Sequence, residues 1–132
     1  MNAPAKISLP LAKACLERRA DLLQAFCALE IELSAALGPD APKMFSQKIG
    51  RLSTDQLVGV DPSSLIASRN LVAHAHIMAA SRAGTPISVW QVPHAERHLN
   101  ARVMSRDELD EWHRTLTAEI EKLRASVSSI RQ

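Results

Sequence analysis

Three residues whose side chains can bind an anion and move a proton occur within six positions, at Arg69, Asn70 and His74. The arginine guanidinium is permanently charged and offers a planar fork of donors to phosphate oxygens, whereas the imidazole exchanges protons near neutral pH. Apolar residues flank the group on both sides, which is typical of a helix. Together these side chains predict a site that holds a phosphodiester and moves a proton on it.

The period of a helix decides which of these side chains can act together. Asn70 and His74 are four residues apart and lie on one face. Arg69 and His74 are five apart and point about 140° away from each other, whereas Arg69 and His76 nearly align. Within one chain, Arg69 and His74 are therefore not expected to meet at one phosphate. The spacing favours a site shared between two copies of the chain.

A long helix is predicted at the start of the chain. Apolar residues recur at three- and four-residue steps along residues 11–37, and the helix is expected to begin near Ser8 and to end at Gly38. Residues 1–7 are predicted to form a short disordered lead. Residues 8–132 are too few for two domains and are expected to form one.

Three further helices are predicted from residues that typically begin or end a helix. A short one is expected to begin near Pro42, and a longer one to run from the Asp61-Pro62 cap to Gly84. Ser105 and Glu108 form a capping box, and the apolar rhythm behind it predicts a last helix of about six turns.

One segment before the last helix has β-character. Ile87 to Val92 is rich in β-branched residues, and Leu99 to Met104 is its expected partner strand, although His94 to Asn100 also fits a turn of helix. The aromatic content of only 3% argues against a sheet sandwich. We therefore predict a mainly α fold, a helical bundle with a small β-hairpin before the last helix.

Charge and cysteine content narrow the class of protein only a little. The net charge of +2 neither requires nor excludes a nucleic-acid partner. Cys15 and Cys27 are separated by about 18 Å along the predicted first helix, beyond the roughly 7 Å limit for a disulfide. Reduced thiols, and the lack of a secretion signal or a membrane-spanning run, lead us to expect a cytoplasmic protein without membrane contact.

The histidines do not predict a metal site. His74 and His76 lie two positions apart on the predicted helix, and hence on nearly opposite faces. His94 and His98 could share an ion only if their segment were helical, and no cysteine or carboxylate cluster completes a four-ligand set. We expect neither a metal nor another cofactor.

Residues outside the Arg-Asn-His group are candidates for binding. Arg97 and Arg102 flank the β-segment and could form a basic edge for an RNA backbone, so they are candidate substrate contacts together with His76. Trp90 alternates with Val89 and could be exposed as a contact for a partner or a base.

Residues 69–74 match the motif of HEPN domains, which consists of an arginine, a polar residue that is often asparagine, three further residues and a histidine. Residues 45–52, Phe-Ser-Gln-Lys-Ile-Gly-Arg-Leu, also look like the Phe-x-x-Lys-Ile-x-x-Leu segment of bacterial members. The chain resembles this family over about residues 10–80 and the last helix. It departs from the family at Ala75 and in residues 84–104, which have no counterpart.

The resemblance implies a four- to five-helix bundle that pairs with a copy of itself so that two motifs face one cleft. It implies a metal-independent endoribonuclease, such as a toxin or phage-defence effector, with an antitoxin or a nucleotidyltransferase as partner. Arg69 would hold the scissile phosphate, His74 would act as general base or acid, and Asn70 would orient the imidazole or bind a phosphate oxygen.

A second function stays open, because other members of the family have lost activity. In that alternative the chain is a regulatory or assembly module that binds a nucleotide, RNA or protein. The same polar side chains would then form a network at a dimer interface without doing chemistry.

Overall fold

The computed structural model of this chain describes residues 3–93 and 101–130. In chain order the elements are α1 (Ala3–Leu37), α2 (Phe45–Gly50), α3 (Pro62–His74), β1 (His76–Arg82), β2 (Thr85–Gln91), β3 (Ala101–Met104) and α4 (Arg106–Ile130). The strands form one antiparallel sheet in the order β1-β2-β3. The prediction of a mainly helical chain with a small β-element before the last helix is confirmed. Over the two described ranges, no helix combines the length and the apolar character needed to cross a membrane.

The apolar stripe of α1 forms one side of the core. Its buried members are Leu11, Cys15, Leu22, Phe26, Leu29 and Leu33. The helix begins at Ala3 rather than near Ser8, and Pro10 lies inside it. A proline lacks the N–H that an interior helical residue donates, so a proline is more typical of the first turn of a helix than of its interior. Residues 3–7 of the predicted lead therefore belong to α1.

The helices α1 and α4 pack against each other in parallel. Three side-chain pairs join them: Arg18 with Asp110, Asp21 with His113, and Glu32 with Arg124. Each pair joins residues that are 92 positions apart, and a constant offset requires the two helices to run in the same direction. In an up-and-down bundle the first and fourth helices run antiparallel, so the helices of this chain do not alternate in that way.

The predicted caps of α3 and α4 are confirmed. Asp61 Oδ1 accepts hydrogen bonds from the backbone N–H groups of Ser63 and Ser64 at 3.1 and 3.3 Å. The Ser105 N–H donates to Glu108 Oε1 at 2.9 Å, and the Glu108 N–H donates to Ser105 Oγ at 3.3 Å. Hydrogen bonding to Ser105 holds the pKa of Glu108 below its ordinary value, since it favours the charged carboxylate.

The predicted end of the third helix is wrong. The helix ends at His74, and Ala75 is already extended, with φ −68° and ψ 140°. The chain then forms β1, which pairs with β2 through a two-residue turn at Ala83 and Gly84, where φ is 51° and 82°. Positive φ at both central residues is the mark of a type I′ hairpin turn. Gly84 therefore serves a hairpin turn, a role that its local sequence does not distinguish from a helix stop.

Glycine substitutions at Ala83 and Ala80 test this hairpin, because they should change stability in opposite directions. Ala83 has a φ of 51°, a conformation that costs an L-residue roughly 1–2 kcal/mol. We expect Ala83→Gly to raise the free energy of unfolding by about 1 kcal/mol. Ala80 lies within β1, where glycine costs about 0.5–1 kcal/mol. Urea unfolding measures both values, and losses in both variants would contradict the hairpin.

The strands β2 and β3 pair as the sequence predicted. Their register runs from Ser88 opposite Met104 to Gln91 opposite Ala101. The alternative turn of helix at residues 94–100 lies outside the described residues. The strand β1, which the sequence assigned to a helix, completes the sheet on the other side of β2.

Trp90 lies in the core, so the prediction that it could be an exposed contact is wrong. The side chain is 0% exposed, and its ring meets that of Trp112 edge-on at 5.2 Å between centroids. The Trp90 Nε1–H donates to Ser88 Oγ at 3.2 Å, and this hydroxyl donates to the Met104 carbonyl at 3.0 Å. Alternation along β2 did not show which face is buried, because Val89 on the other face is also apolar.

Candidate functional site

Arg69, Asn70 and His74 lie in the last two turns of α3. The buried face of this helix is formed by Leu65, Ser68, Leu71 and Val72. Arg69 and Asn70 are half-buried, and His74, the last helical residue, is exposed. The Asp61 cap fixes the start of this helix, and its packing on the core fixes which face the polar group occupies.

The three side chains border one concavity of about 320 Å³. Its other wall is the chain leading into α2, and the lining residues are Lys43, Met44, Phe45, Ser46, Ile66, Arg69, Asn70 and His74. Arg69 and His74 both border this concavity within a single chain, whereas a phosphate site shared between two copies stays a prediction. The helical angle describes only the directions in which the side chains leave the helix. Side chains that leave α3 in different directions can therefore border the same concavity.

Two contacts hold the Arg69 guanidinium at the edge of this concavity. Its Nη2 lies 3.4 Å from Glu30 Oε2 and 3.5 Å from Glu30 Oε1. Its Cζ lies 6.0 Å from the centroid of the Phe45 ring, at the outer range of a cation–π contact. Phe45 in turn meets Phe26 edge-on at 5.7 Å. The arginine therefore rests on the aromatic core and already has an anionic partner.

The side chains that border the concavity suit an anion whose oxygens accept hydrogen bonds, such as a phosphate. Lys43 is an exposed cation that borders the concavity together with Arg69, and His74 adds an imidazole. Ser46 and Asn70 supply a hydroxyl and an amide, which donate to phosphate oxygens as readily as to carboxylates. Across residues 3–93 and 101–130, no group of three or more His, Cys, Asp and Glu side chains is arranged as metal ligands.

Arg19 of α1 binds the backbone on both sides of His74. Its guanidinium donates to the carbonyls of Val72 at 2.9 Å, Ala75 at 3.1 Å and Ala73 at 3.3 Å. The last carbonyls of a helix have no partner within the helix, so a cation with several donors is a suitable cap. This one side chain joins α1 to the point where α3 gives way to β1.

Two of the other predicted substrate contacts, His76 and Arg102, do not border this concavity. His76 lies in β1, beyond the end of α3, so its predicted helical alignment with Arg69 is wrong. Arg102 lies in β3, and its Cζ is 5.3 Å from the centroid of the Trp112 ring. Arg97 lies outside the described residues.

A larger concavity of about 580 Å³ lies between α3, α4 and β3. Arg102 borders it, and its acidic members are Asp107, Glu108, Glu111 and Glu119. These carboxylates repel a nucleic-acid backbone, since like charges at close range are unfavourable. Size alone therefore does not identify the place where a phosphate would bind.

The two cysteines differ in surroundings. Cys15 is buried in the core, whereas Cys27 is exposed on α1. The apolar stripe of α1 runs through Phe26 and leaves the next residue on its edge.

Three residues that shape the site were missed by the sequence analysis, namely Arg19, Glu30 and Lys43. Glu30 and Arg69 are 39 positions apart, and Arg19 is at least 53 positions from the carbonyls that it caps. Motifs and helical periods describe neighbours along the chain, so neither could signal these contacts.

No protein-family model matches the chain, and neither a curated protein nor a solved structure does so. The chemistry of the side chains themselves is therefore the basis for assigning a function.

Proposed function

We propose that this chain is a metal-independent endoribonuclease, a toxin or defence effector of the HEPN type, that cleaves RNA at the concavity bordered by Arg69, Asn70 and His74. The observation that carries the proposal is that these three side chains and Lys43 border one concavity. Two cationic groups, an amide and a proton-exchanging imidazole are what cleavage of a phosphodiester by its own 2′-hydroxyl needs.

The step follows from the roles of the side chains. The ribose 2′-oxygen attacks phosphorus as its proton passes to a general base, the bond from phosphorus to the 5′-oxygen breaks, and that oxygen takes a proton from a general acid. Arg69 stabilises the added negative charge, and Asn70 binds a phosphate oxygen or orients the imidazole. The products are a 2′,3′-cyclic phosphate and a free 5′-hydroxyl.

Base and acid act in the same step, and one copy supplies one imidazole at the concavity. In the proposal, a second copy contributes its own His74, so that the working site is a cleft of a homodimer. The exposed position of His74 at the end of α3 supports this arrangement. A chain that stays monomeric in analytical ultracentrifugation at the concentration of the assay would overturn the dimeric cleft.

Cleavage of single-stranded RNA in the presence of EDTA tests the proposal. The wild type should produce fragments that end in 2′,3′-cyclic phosphate, and His74→Ala and Arg69→Ala should each lower the rate by about 100-fold or more. His76→Ala is the matched control, because this exposed histidine lies in β1 and outside the concavity. Equal cleavage by the wild type and His74→Ala would contradict the assignment.

A second candidate is favoured by the contact between Arg69 and Glu30. Because the carboxylate already neutralises the guanidinium, the site also suits a regulatory or assembly module that binds a nucleotide, RNA or protein without chemistry. Binding of RNA that depends on Arg69, without cleavage, would support this function over the first. Growth arrest on induced expression, relieved in an Arg69→Ala, His74→Ala double variant and by an antitoxin or nucleotidyltransferase partner, would support the toxin.

A further inference from the structure

Glu30 of α1 is the anionic partner of the arginine at the candidate site. Its two carboxylate oxygens lie 3.4 and 3.5 Å from Arg69 Nη2. The side chains of Arg69 and Glu30 are 28% and 19% exposed, so water screens their attraction only in part. Both distances exceed the roughly 2.7–2.9 Å of a tight charge-assisted hydrogen bond. The pair is matched in charge but only loosely bonded.

Arg69 borders two concavities. One is the concavity of about 320 Å³ with Asn70 and His74. The other is a small concavity of about 40 Å³, lined by Leu23, Phe26, Cys27, Glu30, Arg69 and Ala73. Glu30 lines only the small one, so the carboxylate partner of the guanidinium does not border the space proposed for the ligand.

A phosphodiester and the Glu30 carboxylate carry the same charge and bind the same kind of donor. Placing both beside one half-buried guanidinium brings two anions together where screening is weak, and this lowers the affinity for the second anion. The free protein holds the arginine neutralised, so an incoming phosphate has to compete for it.

We propose that Glu30 is an internal competitor of the RNA phosphate for Arg69, and that it sets the affinity of the site by releasing the guanidinium when RNA binds. This inference rests on the proposed function, in which Arg69 holds the phosphate. Glu30 is then a positioning residue, which acts on the substrate through Arg69.

The test measures binding separately from cleavage. The probe is a fluorescein-labelled single-stranded 2′-O-methyl oligoribonucleotide, whose blocked 2′-oxygen cannot attack phosphorus, and the readout is fluorescence anisotropy. Glu30→Gln keeps the size of the side chain and removes its charge, and we expect it to lower the dissociation constant roughly tenfold. In the same background, Arg69→Ala should abolish this gain.

Glu32→Gln is the matched control. It removes the same charge from the same helix and breaks a tighter pair of similar exposure, since Glu32 binds Arg124 at 2.9 Å with side chains 25% and 32% exposed. Glu32 does not border either concavity beside Arg69, so the dissociation constant should stay within about twofold of the wild type. Thermal melting of each variant confirms that the proteins compared are folded.

The outcomes separate the inference from the proposed function. If the wild type binds the probe through Arg69, and Glu30→Gln binds it equally or more weakly, Glu30 supports the arginine and the competition is overturned. If Glu32→Gln gains as much affinity for the probe as Glu30→Gln, the gain comes from the change in net charge, and the competition is again overturned. If no variant binds the probe in a manner that depends on Arg69, the proposed function fails and the competition fails with it.

Discussion

Trp90→Ala is expected to lower the free energy of unfolding by about 3–5 kcal/mol. The side chain is 0% exposed, and its ring packs edge-on against Trp112 at 5.2 Å, so it joins the sheet to α4. Removing this ring leaves a cavity between the sheet and α4. The Ser88 hydroxyl also loses the hydrogen bond that it accepts from the Trp90 Nε1–H. The protein has only two tryptophans and two phenylalanines, so few other side chains of this size support the core.

Two further variants define the cause of this loss. Trp90→Phe keeps an aromatic ring but removes the Nε1–H group, and it should cost about 1–2 kcal/mol. Val103→Ala alters a residue of β3 that is 41% exposed, and it should change stability by less than about 0.5 kcal/mol. Urea unfolding followed by circular dichroism measures all three. If Trp90→Ala cost no more than Val103→Ala, the sheet would have its other face toward the core.

Arg19→Ala is expected to lower the free energy of unfolding by about 2–3 kcal/mol. Its guanidinium donates to the carbonyls of Val72, Ala73 and Ala75 at distances of 2.9 to 3.3 Å. Without it these carbonyls lose a charged donor in a partly buried place, and the end of α3 is no longer tied to α1. Arg19→Lys keeps the charge but not the planar fork, so it should recover only part of the loss.

The neighbouring residue supplies the control. Arg18→Ala removes the same type of side chain from the same turn of α1, but within the described residues Arg18 pairs with Asp110 alone, at 3.2 Å, with both side chains about one-third exposed. An ion pair of this kind contributes about 0–1 kcal/mol. Chemical denaturation of both variants and the wild type measures the two losses in the free energy of unfolding. Equal losses would show that the bonds from Arg19 to the carbonyls add no more stability than a surface ion pair.

Local signals in the sequence predicted the starts of α3 and α4, but not those of α1 and α2. Asp61 and Ser105 are capping residues whose partners lie two or three positions ahead, so the sequence contains the whole interaction. The end of α3 could not be predicted in this way. It depends on Arg19, which caps carbonyls more than fifty positions away along the chain, and on a strand partner that follows later.

At the candidate site, too, the sequence indicated the residues that are neighbours along the chain but not those that come from other elements. Arg69, Asn70 and His74 were identified because they are close in sequence and lie on one helix. Lys43 and Glu30, which set the charge around them, come from other elements. The prediction that Arg69 and His74 act together in a site shared by two copies relied on helical angles and stays a prediction. Residues of the chain before α2 border the same concavity as Arg69 and His74, which no helical period could indicate.

The parallel packing of α1 on α4 determines how the chain must fold as it leaves the ribosome. Paired residues of these helices lie 92 positions apart, and translation proceeds at about 5–20 residues per second. Each turn of α1 is therefore made roughly 5–20 s before the turn of α4 that covers it. For that interval the side of α1 that α4 later covers is without its partner, so slower synthesis lengthens the time for which this side is exposed.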